Sequence, residues 1–311
     1  MTVIDRAGAT AGDITITPKS PTIGAEISGI DLSVDLDDDT ISGIRQALLD
    51  YKVIFFRDQD ITTEQHLAFG RRFGELEVHP FAINKPDYPE VLAITHDADN
   101  AGRENTWHSD VTWRLQPSLG SILRCLEGPA VGGDTLFADM YAAYDGLPQR
   151  IKERAEGRVA RHDFPNFRKL MRHRGASDAD IAELEATYPN PEHPVIRTHP
   201  ETGRKGIYVN IAFTQEIVGM DAQASAELLQ VLYDQAKFPE YQVRFAWEPN
   251  SIAFWDNRAC QHYATSDYWP NVRRVERVTV IGDTPYHDAS QAPTADADSP
   301  FRGQLRAWSD S

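Results

Sequence analysis

A histidine and an aspartate two positions apart are the residues with the clearest potential for chemistry. His108 and Asp110 are separated by one serine. Side chains alternate faces along an extended strand, so the imidazole and the carboxylate would point the same way. His262, in a distant segment, is our candidate for a third metal ligand. Two histidines and one carboxylate on one face of an octahedral ion leave three positions open, as in non-haem Fe(II) oxygenases. By itself the short spacing also fits a surface histidine that hydrogen-bonds a nearby aspartate.

Two arginines further along the chain could bind anions. Arg273 and Arg277 are four positions apart, hence on one face of a strand. A guanidinium matches a carboxylate or sulfonate bidentately, and a buried one needs such a partner to offset its desolvation. Because His262 precedes Arg273 by eleven residues, the two segments could run as antiparallel strands joined by a turn, with Arg273 beside the metal ligand. The pair predicts two bound anions; two solvated arginines outside the site are the alternative.

Composition narrows the class of partner. The 311 residues include 31 basic and 47 acidic side chains, a formal charge of -16, which argues against nucleic acid and anionic membranes. A small anionic substrate stays compatible because a buried arginine can reverse the local field. Cys125 and Cys260 are too few for a disulfide framework and indicate buried thiols in a reducing cytoplasm. Without a run of eighteen apolar residues, we expect a soluble, cytoplasmic protein with no membrane partner.

Periodicity and capping residues predict the helices and strands. The acidic cluster 37–39 precedes apolar positions spaced three and four apart, and Thr62 and Gln65 have capping-box spacing. Helices are predicted within 31–50, from Thr62 to about Phe73, over 139–155 and over 221–236. Strands are predicted at 51–56, 90–94, 121–126, 193–199, 206–210, 242–247, 251–255 and 273–281.

Many short strands with helices outside them favour a mainly β fold, an antiparallel sandwich or jelly roll. Gly132 and Gly133 permit a tight turn that presents Thr135 at the start of another strand. No linker divides the chain, so we predict a single domain over 1–311 with its core at about 14–283. The polar segment 158–190 is predicted as a solvated insertion or lid, and 284–311 as a surface tail.

Several motifs together resemble one known family. They are Trp107-His108-Ser109-Asp110, Gly132-Gly133-Asp134-Thr135, Trp255-Asp256-Asn257-Arg258 and Gln261-His262-Tyr263, followed by the two arginines. In this order they resemble the taurine dioxygenase family of Fe(II)- and 2-oxoglutarate-dependent oxygenases, and the resemblance runs from about Ile23 to Asp283. It implies a double-stranded β-helix, also called a jelly roll and similar to cupins, with the metal at one open end. It also implies a homo-oligomer, either a dimer or a tetramer.

The resemblance implies a role for each candidate residue. The iron ligands would be His108, Asp110 and His262; the distal carboxylate of 2-oxoglutarate would be bound by Thr135 and Arg273; the acidic head of the substrate would be approached by His79, Val111 and Arg277. Fe(II) and O2 would complete the set, with 2-oxoglutarate as co-substrate.

The expected reaction is hydroxylation of a small anionic organic substrate, with release of succinate and CO2. His79 favours a sulfonate such as taurine or an alkyl sulfate, which would then release an aldehyde with sulfite or sulfate, as in taurine catabolism and sulfur metabolism. Glu104 and Glu276 differ from taurine-specific relatives and argue against taurine itself. An aryloxyalkanoate substrate is the alternative. A zinc hydrolase or a non-catalytic jelly-roll module would leave Thr135 and the arginines without a role.

Overall fold

The computed structural model describes residues 9–11, 14–80, 84–102, 104–173 and 175–290. Within these ranges the helices are α1 (Asp38–Tyr51), α2 (Thr63–Arg71), α3 (Met140–Asp145), α4 (Gln149–Ala155), α5 (Pro165–His173), α6 (Asp178–Thr187) and α7 (Ala222–Gln235). The strands are β1 (Ala9–Ala11), β2 (Ile14–Pro18), β3 (Ala25–Ser28), β4 (Val53–Phe56), β5 (Asn84–Lys85), β6 (Tyr88–His96), β7 (Ser118–Glu127), β8 (Thr135–Asp139), β9 (Val159–His162), β10 (Glu192–Pro194), β11 (Ile196–Thr198), β12 (Lys205–Ile207), β13 (Thr214–Ile217), β14 (Gln242–Phe245), β15 (Ile252–Asp256), β16 (Cys260–Ala264) and β17 (Arg273–Ile281).

The first of two compact units contains two sheets. It is formed by the described residues of 1–106, 118–139 and 239–281. The larger sheet has the strand order β1-β2-β3-β4-β15-β7-β17-β6-β5, and the smaller sheet has the order β14-β8-β16. Strands β3 and β4 are parallel, whereas the pairs around β15, β17 and β8 are antiparallel.

A core of apolar side chains joins these two sheets. Phe137 and Phe245 of the smaller sheet belong to the same buried cluster as Phe55 and Val275 of the larger one, and the rings of Phe55 and Phe245 stack with centroids 4.2 Å apart. A second cluster contains the apolar faces of α1 and α2 together with Val278. Largely antiparallel sheets around a shared core, with helices outside, confirm the predicted mainly β, jelly-roll class.

The first two helices begin where their capping residues predict. Asp37 Oδ1 accepts from the backbone N–H of Thr40 at 2.7 Å. At α2 the backbone N–H of Gln65 donates to Thr62 Oγ1 at 3.3 Å, and Gln65 Oε1 accepts from the backbone N–H of Thr62 at 2.7 Å. These bonds satisfy groups that the helix leaves unpaired, so sequence alone locates both helix starts.

The predicted pairing of the strands that carry His262 and Arg273 is wrong. Strand β16 pairs with β8 in the smaller sheet, whereas β17 lies between β7 and β6 in the larger one. The connection from 265 to 272 crosses from one sheet to the other instead of closing a hairpin. In a sandwich, consecutive strands can join opposite sheets, and spacing along the chain cannot distinguish the two arrangements.

The second unit is formed by the described residues of 107–117, 140–238 and 282–311. Strands β10, β9 and β13 make one small sheet, and β11 and β12 make a hairpin across the predicted turn at 200–204. Helix α7 begins at its predicted N-cap, Asp221, whose side chain accepts from two backbone N–H groups of the first turn. The predicted strand at 193–199 is divided between β10 and β11, which belong to different sheets.

Two further sequence predictions in this unit need correction. The helix predicted over 139–155 is interrupted between α3 and α4, because Pro148 takes the N-cap position of α4 with an extended backbone. Residues 158–190 are not uniformly solvated, since β9 places Ala160 and His162 at 0% exposure. A role for this segment as a lid stays a prediction. The tail is described only to residue 290, where Tyr286 O accepts from the backbone N–H of Thr198; residues 291–311 lie outside the described ranges.

Both cysteines match the prediction of buried thiols. Cys125 and Cys260 are free and buried. No helix in the described part of the chain combines the length and the apolar character needed to cross a membrane.

Burial lowers the pKa of three histidines in the described ranges and keeps them neutral. Desolvation lowers the pKa of His66 from 6.5 to about 4 and that of His193 to about 4. It also lowers the pKa of His162 well below its ordinary value. Because the unfolded chain binds protons at these sites near pH 6.5 and the folded chain does not, unfolding takes up protons below that pH.

We therefore expect the contribution of these histidines to the free energy of unfolding to be constant above pH 6.5. Their contribution should decrease as the pH falls toward 4. His66, His162 and His193 each contribute a slope of about 1.4 kcal/mol per pH unit. Urea unfolding between pH 7 and pH 5 measures the slope. His66→Gln should reduce it, whereas His173→Gln, at an exposed position in the last turn of α5, should leave it unchanged. Equal slopes for wild type and His66→Gln would contradict the interpretation.

Candidate active site

His108 and Asp110 are close together, although not on the predicted strand. His108 makes an isolated bridge, and Asp110 opens a turn that continues to residue 113. His108 Nε2 lies 3.8 Å from Asp110 Oδ1, and Asp110 is 4% exposed. The extended backbone ends here because Val111 has a φ of 48°, in the left-handed region. The two side chains therefore converge through a turn and not through strand alternation.

His262 projects from the smaller sheet of the first unit. It lies on β16 opposite Phe137 of β8, is 7% exposed, and its ring centroid is 4.8 Å from that of Trp255. In the turn before β16, Arg258 makes two hydrogen bonds from its guanidinium to the carboxylate of Asp256. Asn257 in the same turn accepts a hydrogen bond from Trp255 Nε1 at 3.0 Å. The Trp-Asp-Asn-Arg motif thus stabilises the turn that leads into β16, the strand of His262.

The three predicted ligands offer atoms suited to one metal ion. His108, Asp110 and His262 each present one ligand atom, and these atoms lie within 4.8 Å of one another. Two imidazoles and one carboxylate form the ligand set associated with non-haem Fe(II). The donor set and its spacing therefore fit iron.

Arg273 is a buried cation that forms no close ion pair with a carboxylate of the described residues. It is 5% exposed, its Nε has no hydrogen-bond partner, and no ion pair with a carboxylate is found for it among the described residues. Desolvation lowers the pKa of its guanidinium from the ordinary value. The ring of Trp247 lies 5.7 Å from Arg273 Cζ. A buried guanidinium in this state requires an anionic ligand to offset its desolvation.

Thr135 is linked to the same arginine through a tryptophan that sequence analysis did not identify. Trp247 Nε1 donates to Thr135 Oγ1 at 2.9 Å, and Thr135 is 3% exposed. Since Thr135 accepts this bond, its own hydroxyl proton is available to an anion. Trp247 carries no local signal of such a role, because its two partners are distant in sequence.

The predicted glycine turn before Thr135 is present. Gly132 and Gly133 have φ values of 84° and 72°, and the backbone N–H of Gly133 donates to Asp267 Oδ1 at 2.8 Å. A Cβ at Gly133 would lie 3.2 Å from the Tyr268 ring and 3.4 Å from Arg273 Cδ. Glycine is therefore required for the positive φ and for the close approach to Arg273.

The predicted substrate residues occupy three different settings. Val111 is 4% exposed. Arg277 is on β17, and alternation puts it on the same face as Arg273 and Val275, a member of the inter-sheet core. His79 lies in an irregular segment, and the backbone carbonyl of His79 accepts a hydrogen bond from Asn84 Nδ2 at 2.9 Å. Their contact with substrate stays a prediction.

Glu276 and Glu104, the two residues that argue against taurine in the sequence analysis, both have partners. Glu276 is 4% exposed and points to the face of β17 opposite Arg277, where Lys85 Nζ donates to it at 2.7 Å. Glu104 Oε1 lies 3.4 Å from His96 Nε2. Glu276 therefore supports the larger sheet instead of projecting beside the second arginine.

Known proteins resemble this chain over most of its length. The family described as "Taurine catabolism dioxygenase TauD, TfdA family" matches residues 15–279. An alpha-ketoglutarate-dependent sulfate ester dioxygenase from Pseudomonas putida is 37% identical over 284 residues, covering 88% of this chain and 91% of that protein. An (S)-phenoxypropionate/alpha-ketoglutarate-dioxygenase from Sphingobium herbicidovorans is 35% identical over 256 residues, covering 80% and 88%. The crystal structure of a taurine dioxygenase from Burkholderia xenovorans aligns with a TM-score of 0.76 at 37% identity, covering 89% of this chain and 93% of that one.

The family match and these relatives show that the protein is a 2-oxoglutarate-dependent dioxygenase, and the His-Asp-His group of the jelly roll fits that class. Alpha-ketoglutarate is another name for 2-oxoglutarate, so the relatives agree with the class predicted from the motifs. The chain belongs to the TauD/TfdA family.

Proposed function

We propose that this enzyme hydroxylates an alkyl sulfate or a related organosulfonate at the carbon next to the sulfur-bearing group. The group of His108, Asp110 and His262, with ligand atoms within 4.8 Å of one another, carries the proposal. The sulfate ester dioxygenase from Pseudomonas putida, 37% identical, supports the choice of substrate class. The overall reaction consumes O2 and 2-oxoglutarate and yields succinate and CO2. A sulfate ester hydroxylated at that carbon then breaks its C–O bond, leaving an aldehyde, sulfate and a proton.

We assign Fe(II) to His108, Asp110 and His262. When bound, iron supplies the redox chemistry that activates O2. The protein contributes binding and orientation. Arg273 and the Thr135 hydroxyl would hold the distal carboxylate of 2-oxoglutarate, since a fork of N–H donors fits a carboxylate. His79, Val111 and Arg277 would orient the acidic head of the substrate, so that the carbon to be oxidised lies near the metal.

An aryloxyalkanoate substrate is the second candidate. The (S)-phenoxypropionate dioxygenase from Sphingobium herbicidovorans is 35% identical over 80% of this chain. The same arginines suit a substrate carboxylate as well as a sulfate. Hydroxylation at the carbon bearing the aryloxy group would release a phenol in place of sulfate.

The test is a product assay with the purified enzyme, Fe(II), 2-oxoglutarate and air. A medium-chain alkyl sulfate, taurine and an aryloxypropionate are supplied separately, and succinate is measured with sulfate, sulfite or phenol. We expect succinate and sulfate in equal amounts from the alkyl sulfate. Phenol release with no sulfate would support the second candidate. Sulfate release without O2 and 2-oxoglutarate would indicate hydrolysis, and no succinate with any substrate would contradict the proposal.

Three other features stay predictions. The family resemblance implies a homo-oligomer, either a dimer or a tetramer, and the composition predicts a cytoplasmic location. The third prediction is a single domain whose 158–190 segment acts as a lid.

A further inference from the structure

The residue after Asp110 has a backbone conformation that is costly for its type. Val111 has a φ of 48° and is 4% exposed. A β-branched residue is a rare occupant of the left-handed region, because its Cβ crowds the following carbonyl. Such a conformation persists only where surrounding contacts impose it. Some nearby group must therefore hold the turn that presents Asp110.

Thr112 is the first such group. It is 0% exposed, and its Oγ1 lies 3.0 Å from His162 Nδ1 and accepts from Asn210 Nδ2 at 3.0 Å. His162 Nε2 in turn lies 3.4 Å from Thr214 Oγ1. Burial lowers the pKa of His162, so the ring is neutral and offers one donor and one acceptor. A hydroxyl at each ring nitrogen satisfies both.

A second imidazole holds the other end of the turn. His193 Nε2 donates to Arg114 O at 2.9 Å, and the backbone N–H of Arg114 donates to Val111 O at 3.0 Å. His193 is on β10, which pairs with β9, the strand of His162, and the two rings are 5.1 Å apart. Two buried imidazoles on paired strands of the second unit thus hold the turn, which belongs to the same unit.

We infer that Thr112, held by His162 and Asn210, is a positioning residue that forces Val111 into the left-handed conformation and so aims Asp110 at the metal. The inference rests on the proposed ligation by His108, Asp110 and His262. Residues that orient metal ligands affect affinity because they keep the donor atoms in place before the ion arrives. Thr112 need not touch the ion or the substrate.

The test measures Co(II) affinity, since Co(II) is less sensitive to air than Fe(II). Thr112→Val removes the hydroxyl at nearly constant volume and should raise the Kd for Co(II) by about tenfold, the lower end of the effect of groups that orient ligands. Thr112→Ser keeps the hydroxyl and should restore the wild-type Kd. Thr112→Ala removes the same hydroxyl with a smaller side chain and serves if Thr112→Val does not fold.

The substitution Val111→Gly, combined with Thr112→Val, distinguishes the positioning role of Thr112 from a general structural role. Glycine adopts a positive φ without strain, so in Val111→Gly the turn no longer depends on Thr112. In this Val111→Gly background, Thr112→Val should change the Kd for Co(II) by less than about twofold, because the energetic coupling between residues 111 and 112 is removed. Amide hydrogen exchange at residues 111–114 of the metal-free protein should accelerate in Thr112→Val and not in Thr112→Ser.

The outcomes distinguish the inference from the proposed function. An unchanged Kd in Thr112→Val, with wild type binding Co(II), would overturn the inference alone. An equal loss of affinity in the wild-type and Val111→Gly backgrounds would also overturn it. Failure of wild type to bind Co(II) would overturn the proposed metal site and, with it, this inference.

Discussion

Replacing Asp110 with alanine is expected to abolish succinate formation. The group has one carboxylate, and two imidazoles alone would leave an exchangeable ion with too few protein ligands to fix its geometry. We expect the rate to fall by roughly 1,000-fold or more, beyond the 10- to 100-fold losses common for residues that only orient ligands. Succinate production with saturating 2-oxoglutarate and Fe(II) measures the rate, and elemental analysis measures bound iron. His108→Ala should behave in the same way.

The control for these two substitutions is a histidine outside the predicted metal site. His173→Ala alters an exposed side chain in the last turn of α5 and should retain both iron and activity. Wild-type turnover in Asp110→Ala would show that the carboxylate is not a ligand. Tightly bound zinc in the wild-type protein, with no oxygen consumption, would favour a hydrolytic site.

Replacing Arg273 with glutamine is expected to raise the KM for 2-oxoglutarate by about 100-fold, equivalent to about 2.7 kcal/mol. The loss is large because Arg273 is 5% exposed, and without it the buried carboxylate of the co-substrate would have no charged partner. At saturating 2-oxoglutarate much of kcat should return, since the residue binds the end of the molecule remote from the metal. Initial rates against 2-oxoglutarate concentration separate the two constants.

The adjacent arginine provides the matched control. Arg274 is exposed on the opposite side of β17 and pairs with Glu127, with Nη2 and Oε2 3.3 Å apart. An exposed pair of this kind contributes little, so Arg274→Gln should leave the KM for 2-oxoglutarate unchanged. Equal effects of the two substitutions would contradict the assignment. So would an Arg273→Gln enzyme in which only the KM for the organic substrate rises.

Site geometry followed from the sequence only in part. The residue types His108, Asp110 and His262 already indicated a metal, and their ligand atoms lie within 4.8 Å of one another. The predicted backbone arrangement of these residues was wrong, because Asp110 lies in a turn and not on a strand, and β16 does not pair with β17. The chemistry of a ligand set is visible in residue identity, whereas the backbone path that assembles it depends on the neighbouring strands.

Trp247 and Thr112 show what sequence analysis could not reach. The indole of Trp247 donates to Thr135 across 112 positions of the chain, and Thr112 contacts His162 across 50 positions. Neither residue has a local pattern that distinguishes it from an ordinary buried side chain. The break between α3 and α4 is different, because Pro148 was a visible signal.

The sequence by itself determined the features that depend on a few neighbouring residues. These include the capped starts of α1 and α2, the positive φ values at Gly132 and Gly133, and the alternation that puts Arg273 and Arg277 on one face. Only the tertiary structure decided which sheet each strand joins and which distant groups hold Val111 and Thr135. Short-range hydrogen bonds and backbone sterics act within about one turn of chain, but strand partners are selected by packing the whole core.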